Sequence, residues 1–243
     1  MSKYKYECFE NYADQRNALF RLRYDVYASE KKYIEDDSSF IYNNMIIDSL
    51  DDTAHVFSVN CDSILAATAR YNCTISSRLE VLECFPEYGN DYLKELFKIS
   101  GRNIVLIEIS RIATSPIFRN SLAIPVLFFH IFEHALYKYK FDGMVFKLRK
   151  AETTVRNLYK NFNCTIIDQS EKNISLYGNK EVDLFVFGYM SLVDFQICIA
   201  EQRVCKVLRS LDIDYYEERI NKILNTIKQY QIDNNQHYVS SNN

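Results

Sequence analysis

Residues 104–136 limit what this chain can fold into more than any other stretch. Residues 104–114 are a β-type apolar run carrying Glu108, Ser110 and Arg111, and a polar turn with Arg119, Asn120 and Ser121 follows. Residues 121–140 then read as a long helix, with Ser121 as its expected N-cap and Pro125 in the first turn, where proline is tolerated. A carboxylate and an arginine inside a greasy strand are costly to bury, so the fold must give both a partner. A base on a strand, followed by the free N–H groups of a helix start, is the arrangement an acyl-transfer site needs.

The rest of the chain is compatible with one domain, or one domain with an appendage: 243 residues, 48% apolar and 14% aromatic, are ample for a core. A balance of 29 basic against 32 acidic residues argues against a general nucleic-acid binder. The seven cysteines, at positions 8, 61, 73, 84, 164, 198 and 205, are odd in number and contain no C-x-x-C pair. With no signal-peptide pattern at the start, they read as reduced thiols of a cytoplasmic protein. No apolar stretch approaches the ~18 residues of a membrane span, so none is expected.

Residues 4–9 alternate as a first strand, and Ala18, Leu22 and Val26 recur at spacing four within a predicted helix over 11–31. Residues 32–44 lack any period and read as an irregular loop. Residues 55–60 and 64–71 predict a hairpin turning at Cys61-Asp62-Ser63, and 79–100 a helix in pieces, interrupted at Pro86 and Gly89. After the long helix come a strand at 143–148, a helix at 152–161, and strands at 164–168 and 182–187. Val204, Val207, Leu208 and Leu211 mark one later amphipathic helix, and Ile220, Ile223, Leu224 and Ile227 another. The predicted organisation is an α/β domain with a central mixed sheet over 1–190, amphipathic helices over 191–232 and a flexible tail over 233–243.

Three motifs fall in order along this frame. Arg21-Leu22-Arg23-Tyr24-Asp25-Val26-Tyr27 resembles the first-helix R-x-R-Y-x-V-F of acyl-homoserine-lactone synthases and N-acyl amino acid synthases. Asp48-Ser49-Leu50-Asp51, with His55 soon after, is similar to their D-x-x-D, and Glu108-Ile109-Ser110-Arg111 resembles their E-x-S-R on the fourth strand. Motifs and layer order together cover roughly residues 4–190 and resemble the GNAT acyltransferase fold, a three-layer α/β architecture. The resemblance implies an N-acyltransferase without a permanently bound cofactor. It would move a fatty acyl group from an acyl carrier protein, or coenzyme A, to a small primary amine such as an amino acid. Lactone synthases place a tryptophan after the first helix; this chain has none, which favours an N-acyl amino acid product.

The resemblance also implies roles. Glu108 would accept the amine proton directly or through water, although a structural glutamate paired with Arg111 fits the same residue type. Ser110 shares the face of Glu108 by strand alternation, and Arg111 should point to the other face and brace the loop. Arg23, Asp48, Asp51 and Arg70 would shape the substrate cleft or form a buried ion-pair network. Arg119, Asn120 and Ser121 occupy the donor-phosphate turn. Leu122 and Ile124 stand there in place of the glycines of coenzyme A-dependent members, which shifts the expected donor toward a carrier protein. Tyr159 resembles a tyrosine that protonates the departing thiolate, or it is a packing residue. Lys147, Arg149, Lys150, Arg156 and Lys160 could dock an acidic carrier or form a solvated face. Phe57, Phe128, Phe129 and Phe146 are candidates for an acyl tunnel or for core.

His130-Ile131-Phe132-Glu133-His134 spells the H-x-x-E-H of some zinc peptidases, but it lacks an obvious third ligand, and no metal centre is expected. The competing reading is a non-catalytic domain of the same fold that binds a ligand or protein.

Overall fold

A computed structural model of the chain describes residues 5–34, 38–175, 183–201 and 203–240. Positions 4, 35–37, 182 and 241–243, which fall within predicted segments, lie outside the described residues, as does the side chain of Val204. The first strand, β1 (Tyr6–Asn11), is an edge strand. It pairs with β4 (His55–Cys61), which returns through the predicted hairpin to β5 (Ile64–Cys73). Asp62 and Ser63 both take left-handed φ values, 49° and 69°, as a two-residue hairpin turn of this twist requires. The central strand β6 (Leu106–Thr114) pairs antiparallel with β5 and parallel with β7 (Gly143–Arg149). The long helix α4 (Ala123–Tyr139) makes the crossover that a parallel pair needs. Strands β8 (Thr165–Ile174) and β9 (Asp183–Ser191) complete a seven-stranded sheet in the order β1-β4-β5-β6-β7-β9-β8.

Strand alternation divides the sheet chemically. Phe57, Ala69, Tyr71, Ile107, Ile109, Met144 and Phe146 face α4 and belong to the main apolar core. The opposite face carries polar residues at the alternate positions: Arg70 and Asn72 on β5, Glu108 on β6 and Lys147 on β7. Helix α1 (Asn17–Tyr24) and the short helices α2 (Glu80–Cys84) and α3 (Asn90–Leu96) cover this second face.

The first helix starts later than its periodicity suggests, at Asn17, and continues as a π-helical turn over Asp25–Glu30. The predicted irregular loop contains a small hairpin, β2 (Ile41–Tyr42) with β3 (Met45–Ile46), in which Ile46 is buried against Ala28 and Ile34. Ser121 does not cap α4. The N-cap is Leu122, whose N–H donates to the Tyr6 hydroxyl at 3.2 Å, while the Ser121 hydroxyl accepts from Ala123 at 3.2 Å. Helix α5 (Thr153–Asn161) presses Tyr159 onto Phe146.

After β9 come α6 (Leu192–Ala200), opened by a Ser191–Asp194 capping box, then α7 (Arg203–Arg209) and α8 (Ile213–Ser240). They pack on the outside of α4, with Phe195 against Phe132 and Tyr216 against Phe129, so their apolar residues belong to the main core. All seven cysteines are unpaired, and no helix among the described residues is long and apolar enough to cross a membrane.

At the start of β7, a Cβ on Gly143 would lie 2.3 Å from the Phe97 ring and 2.9 Å from the Met190 carbonyl oxygen. Gly143→Ala should therefore lower the unfolding free energy by about 1–3 kcal/mol, read from the urea midpoint at unchanged slope.

Candidate active site

The turn before β4 is built by two aspartates. The Asp48 carboxylate accepts the Leu50 N–H at 3.0 Å, and that of Asp51 accepts the Asp48 N–H at 3.0 Å. Their remaining valence goes to three arginines from three elements. Asp51 meets Arg23 of α1 at 2.8 Å and Arg70 of β5 at 3.1 Å. Asp48 binds Arg70 and also Arg111 of β6, the latter at 2.8 Å. The side chains of Arg23 and Arg70 are wholly inaccessible to solvent, so the carboxylates are what make their burial tolerable. Burial alone would push Asp48 up, but Arg111 and Arg70 outweigh it and hold its carboxyl well below the usual range. The resemblance named Arg23, Asp48, Asp51, Arg70 and Arg111 separately; in the fold they form one connected cluster.

The cluster continues to Glu108. Arg111 lies 3.4 Å from Glu80, the first residue of α2; Glu80 lies 3.0 Å from the Lys147 ammonium, and Lys147 lies 4.0 Å from Glu108. Glu108 is only 2% exposed and accepts the N–H of Val81 at 3.2 Å. Burial raises its pKa, Lys147 offsets part of the rise, and Glu80 adds to it. Its neighbour behaves in the opposite way: Glu80 is also pushed up by burial, yet Arg111 and Lys147 bring it down to about 2. Two carboxylates in one pocket thus hold protons with very different strength, the pattern that separates a working acid–base group from a fixed charge.

Glu108 sits where the sheet opens. β6 and β7 pair only over Leu106–Glu108 and Gly143–Val145, although both strands run on to Thr114 and Arg149. Beyond Glu108 the facing edges are not paired with each other. The π-helical turn lies against this opening: the Tyr27 hydroxyl donates to the Ile112 carbonyl at 2.6 Å. Tyr33, just after it, stacks over Arg149, with the guanidinium carbon 3.4 Å from the ring centre. Tyr33, Arg149, Lys150, Glu152, Thr153 and Asp183 line a cavity of about 510 Å³ at the carboxyl end of β7.

Alternation fails at Arg111. Thr68 pairs with Ala113 and Arg70 with Ser110, so β6 has one residue more than β5 in this interval, and Arg111 takes φ +54°. That is a β-bulge with its left-handed residue filled by arginine. The expectation that Arg111 points away from Glu108 is therefore corrected: the bulge turns it into the same charged cluster. Ser110 keeps its expected face, but its hydroxyl accepts from Arg70 Nε at 3.1 Å.

The other predicted residues lie apart. Tyr159 is on the α4 side of the sheet, its ring 3.9 Å from that of Phe146 at 9°. Burial pushes its hydroxyl pKa far up, and the Glu108 charge adds to the effect. Arg119 pairs with Glu30 of the π turn; Asn120 is exposed with φ +66°, and Ser121 holds the start of α4. The basic run is divided: Lys147 is buried in the cluster, while Arg149, Lys150 and Arg156 pair with Asp183, Glu171 and Asp168. Phe57, Phe128, Phe129 and Phe146 are core residues. Sequence reasoning missed Glu80 and the roles of Tyr27 and Lys147. Glu80 carried no motif, and Lys147 stood out only as one of several basic residues.

Residues 18–179 match the family described as FeeM, N-acyl amino acid synthase. The chain belongs to the FeeM N-acyl amino acid synthase family. Among solved structures, FeeM, an N-acyl amino acid synthase from uncultured soil microbes, aligns with a TM-score of 0.57 at 14% identity, covering 80% of this chain and 95% of its own. The AHL synthase LasI gives 0.53 at 16% identity over 80% and 92%, and BjaI, a CoA-dependent acyl-homoserine lactone synthase, 0.53 at 12% over 82% and 89%. At these identities the likeness is one of fold, and the fold is GNAT-like. No curated protein sequence gives a match. Membership in the FeeM family makes the chain an N-acyltransferase and removes the non-catalytic reading.

Asp51→Ala should destabilise this FeeM-family protein by about 3–5 kcal/mol in urea unfolding, because it strands the buried Arg23 and takes one of two carboxylates from the buried Arg70. Glu80 supplies a pH test. Its folded pKa of about 2 lies below its ordinary 4.5, so the unfolded chain binds the proton more readily between those values. Its contribution is full above pH 4.5 and is lost as pH falls toward 2; Glu80→Gln should flatten that part of the stability profile.

Proposed function

We propose that this N-acyltransferase moves a fatty acyl group from a carrier-protein or coenzyme A thioester to the amine of an amino acid, with Glu108 as the base. The observation that carries this reading is a buried carboxylate with a raised pKa at the point where β6 and β7 part. The amine nitrogen attacks the thioester carbon and Glu108 takes its proton, directly or through a water. The tetrahedral intermediate then expels the thiolate, which takes up a proton and leaves as the free thiol. Backbone N–H groups on the unpaired edge of β6, near residues 109–112, are the candidates for holding the oxyanion.

The charges support an acceptor with its own carboxylate. Arg23, Arg70, Arg111 and Lys147 face Asp48, Asp51, Glu80 and Glu108, and Glu108 is the carboxylate that holds its proton most strongly. The cluster is therefore positive until Glu108 ionises. Nη2 of Arg23 and Nη2 of Arg70 are buried with no hydrogen-bond acceptor among the described residues. An amino acid carboxylate would suit them.

The preference for a carrier-protein donor rests on the turn before α4. The N–H groups of Leu122 and Ala123 are taken by Tyr6 and Ser121, and Arg119 is tied to Glu30. What remains for Arg119, Asn120 and Ser121 to offer suits a single phosphate better than a pyrophosphate. Tyr159, behind the opening, is the proposed acid for the thiolate.

The assay follows thiol release and product mass with acyl-carrier and acyl-coenzyme A thioesters against an amino acid panel. Glu108→Gln should cut kcat/KM by about 100- to 10,000-fold while the protein stays folded; unchanged turnover would remove Glu108 as the base. As a base, Glu108 must be ionised, so activity rises with pH through its raised pKa. Lys147→Met should move that limb to higher pH and Glu80→Gln to lower pH. Shifts in one common direction would refute the electrostatic assignment. Tyr159→Phe separates acid from packing residue: the acid role predicts a loss in kcat, the packing role only a change in stability.

A further inference from the structure

On the α4 face of the sheet, away from Glu108, three side chains from three elements converge. Glu10 comes from the edge strand β1, His55 from β4 and His134 from α4. His55 Nδ1 lies 2.5 Å from one Glu10 oxygen and His134 Nε2 lies 3.2 Å from the other. One ligand atom from each residue lies within 4.8 Å of the other two. We infer that Glu10, His55 and His134 form a binding site for a divalent transition-metal ion of the zinc class.

The outer side of each imidazole supports this. His55 Nε2 is 2.7 Å from the Tyr139 hydroxyl, and His134 Nδ1 is 2.5 Å from that of Tyr71. A ligating histidine needs its second ring nitrogen protonated and hydrogen-bonded outward, which fixes the tautomer and the ring plane. A tyrosine hydroxyl both donates and accepts, so it serves this tautomer as well as the one in which the rings donate to Glu10. Both rings are further held by aromatic contacts, His55 stacked on Tyr71 at 4.9 Å and His134 edge-on to Phe57 at 5.3 Å.

The donor set matches a zinc-class ion in composition, two imidazoles and one carboxylate, with further positions for water. A tetrahedral ion about 2.0–2.2 Å from each donor needs them about 3.3–3.6 Å apart, so the pairs already close would open by roughly 1 Å or less. Burial lowers the pKa of both histidines, toward the neutral form that ligation requires, and Glu10 pulls the other way. Lys138, and Arg16 on the His55 side, are near enough to weaken cation binding. The single negative charge of Glu10 must offset them. The H-x-x-E-H motif contributes only His134: His130 and Glu133 turn instead to Arg219 of α8.

The test uses the full-length protein, dialysed against a chelator and titrated with Co²⁺ and then Zn²⁺ at pH 7.5 or thereabouts. Expected are saturation at one equivalent, visible d–d absorption of a four- or five-coordinate ion, its displacement by Zn²⁺, and a higher Tm with metal. Glu10→Gln and His134→Ala should abolish that signal, and Tyr139→Phe should weaken binding about 10- to 100-fold. Circular dichroism and the metal-free Tm establish that each variant is folded. No saturable binding would overturn the proposal. So would binding that survives in Glu10→Gln and His134→Ala with a thiolate charge-transfer band, which would place the ion on cysteine.

Discussion

Asp51 meets Arg23 at 2.8 Å and Arg70 at 3.1 Å in a space closed to water, and much of the molecule is organised around that contact. It joins the first helix to the middle of the sheet. Through Asp48 it reaches Arg111, and through Glu80 and Lys147 it sets the electrostatic surroundings of Glu108. A buried ion pair of this kind adds little to stability compared with an apolar replacement, but losing one partner is costly. Its value lies in position. Five elements, α1, α2, β5, β6 and β7, are held with the turn before β4 in fixed relation by charges that have nowhere else to go.

The opposite face of the sheet works on different physics. There α4 is sandwiched between the strands and the C-terminal helices, and nearly everything it touches is apolar or aromatic. Polar exceptions on α4 include Glu133, buried and held with His130 by Arg219 of α8, and His134, which meets Glu10 and Tyr71. The two faces meet at the opening beyond Glu108, with the charged cluster on one side and the Phe146–Tyr159 stack on the other. In the proposed reaction the thioester and the amine would meet an ionic wall on one side and a greasy one on the other.

How much of this was legible in the sequence depended on the range of the cause. The hairpin at residues 61–63 and the strand at 104–114 are written in local period and turn chemistry, and both formed as read. The ion cluster was legible only as a set of motifs. Which arginine meets which aspartate follows from tertiary packing, and Glu80 entered it without any local signal. The facing of Arg111 was misread because alternation assumes an unbroken ladder, and a single inserted residue reverses it. The small hairpin at 41–46 was missed because its turn uses Asn43 and Asn44, with left-handed φ of 50° and 58°, in a segment too short to show a period.

Arg111 has one more consequence. A side chain other than glycine in the left-handed region costs on the order of 1–3 kcal/mol, and here the occupant is also a long cation. Glycine at this position would relax the backbone while releasing Asp48 and Glu80 from a partner. The two effects have opposite sign in the folding equilibrium but act together on the site, since both alter the field at Glu108. Residue 111 is thus a place where thermal stability says little about fitness for the reaction: a change there can leave the melting curve where it was and still alter the proton affinity of Glu108, the proposed base.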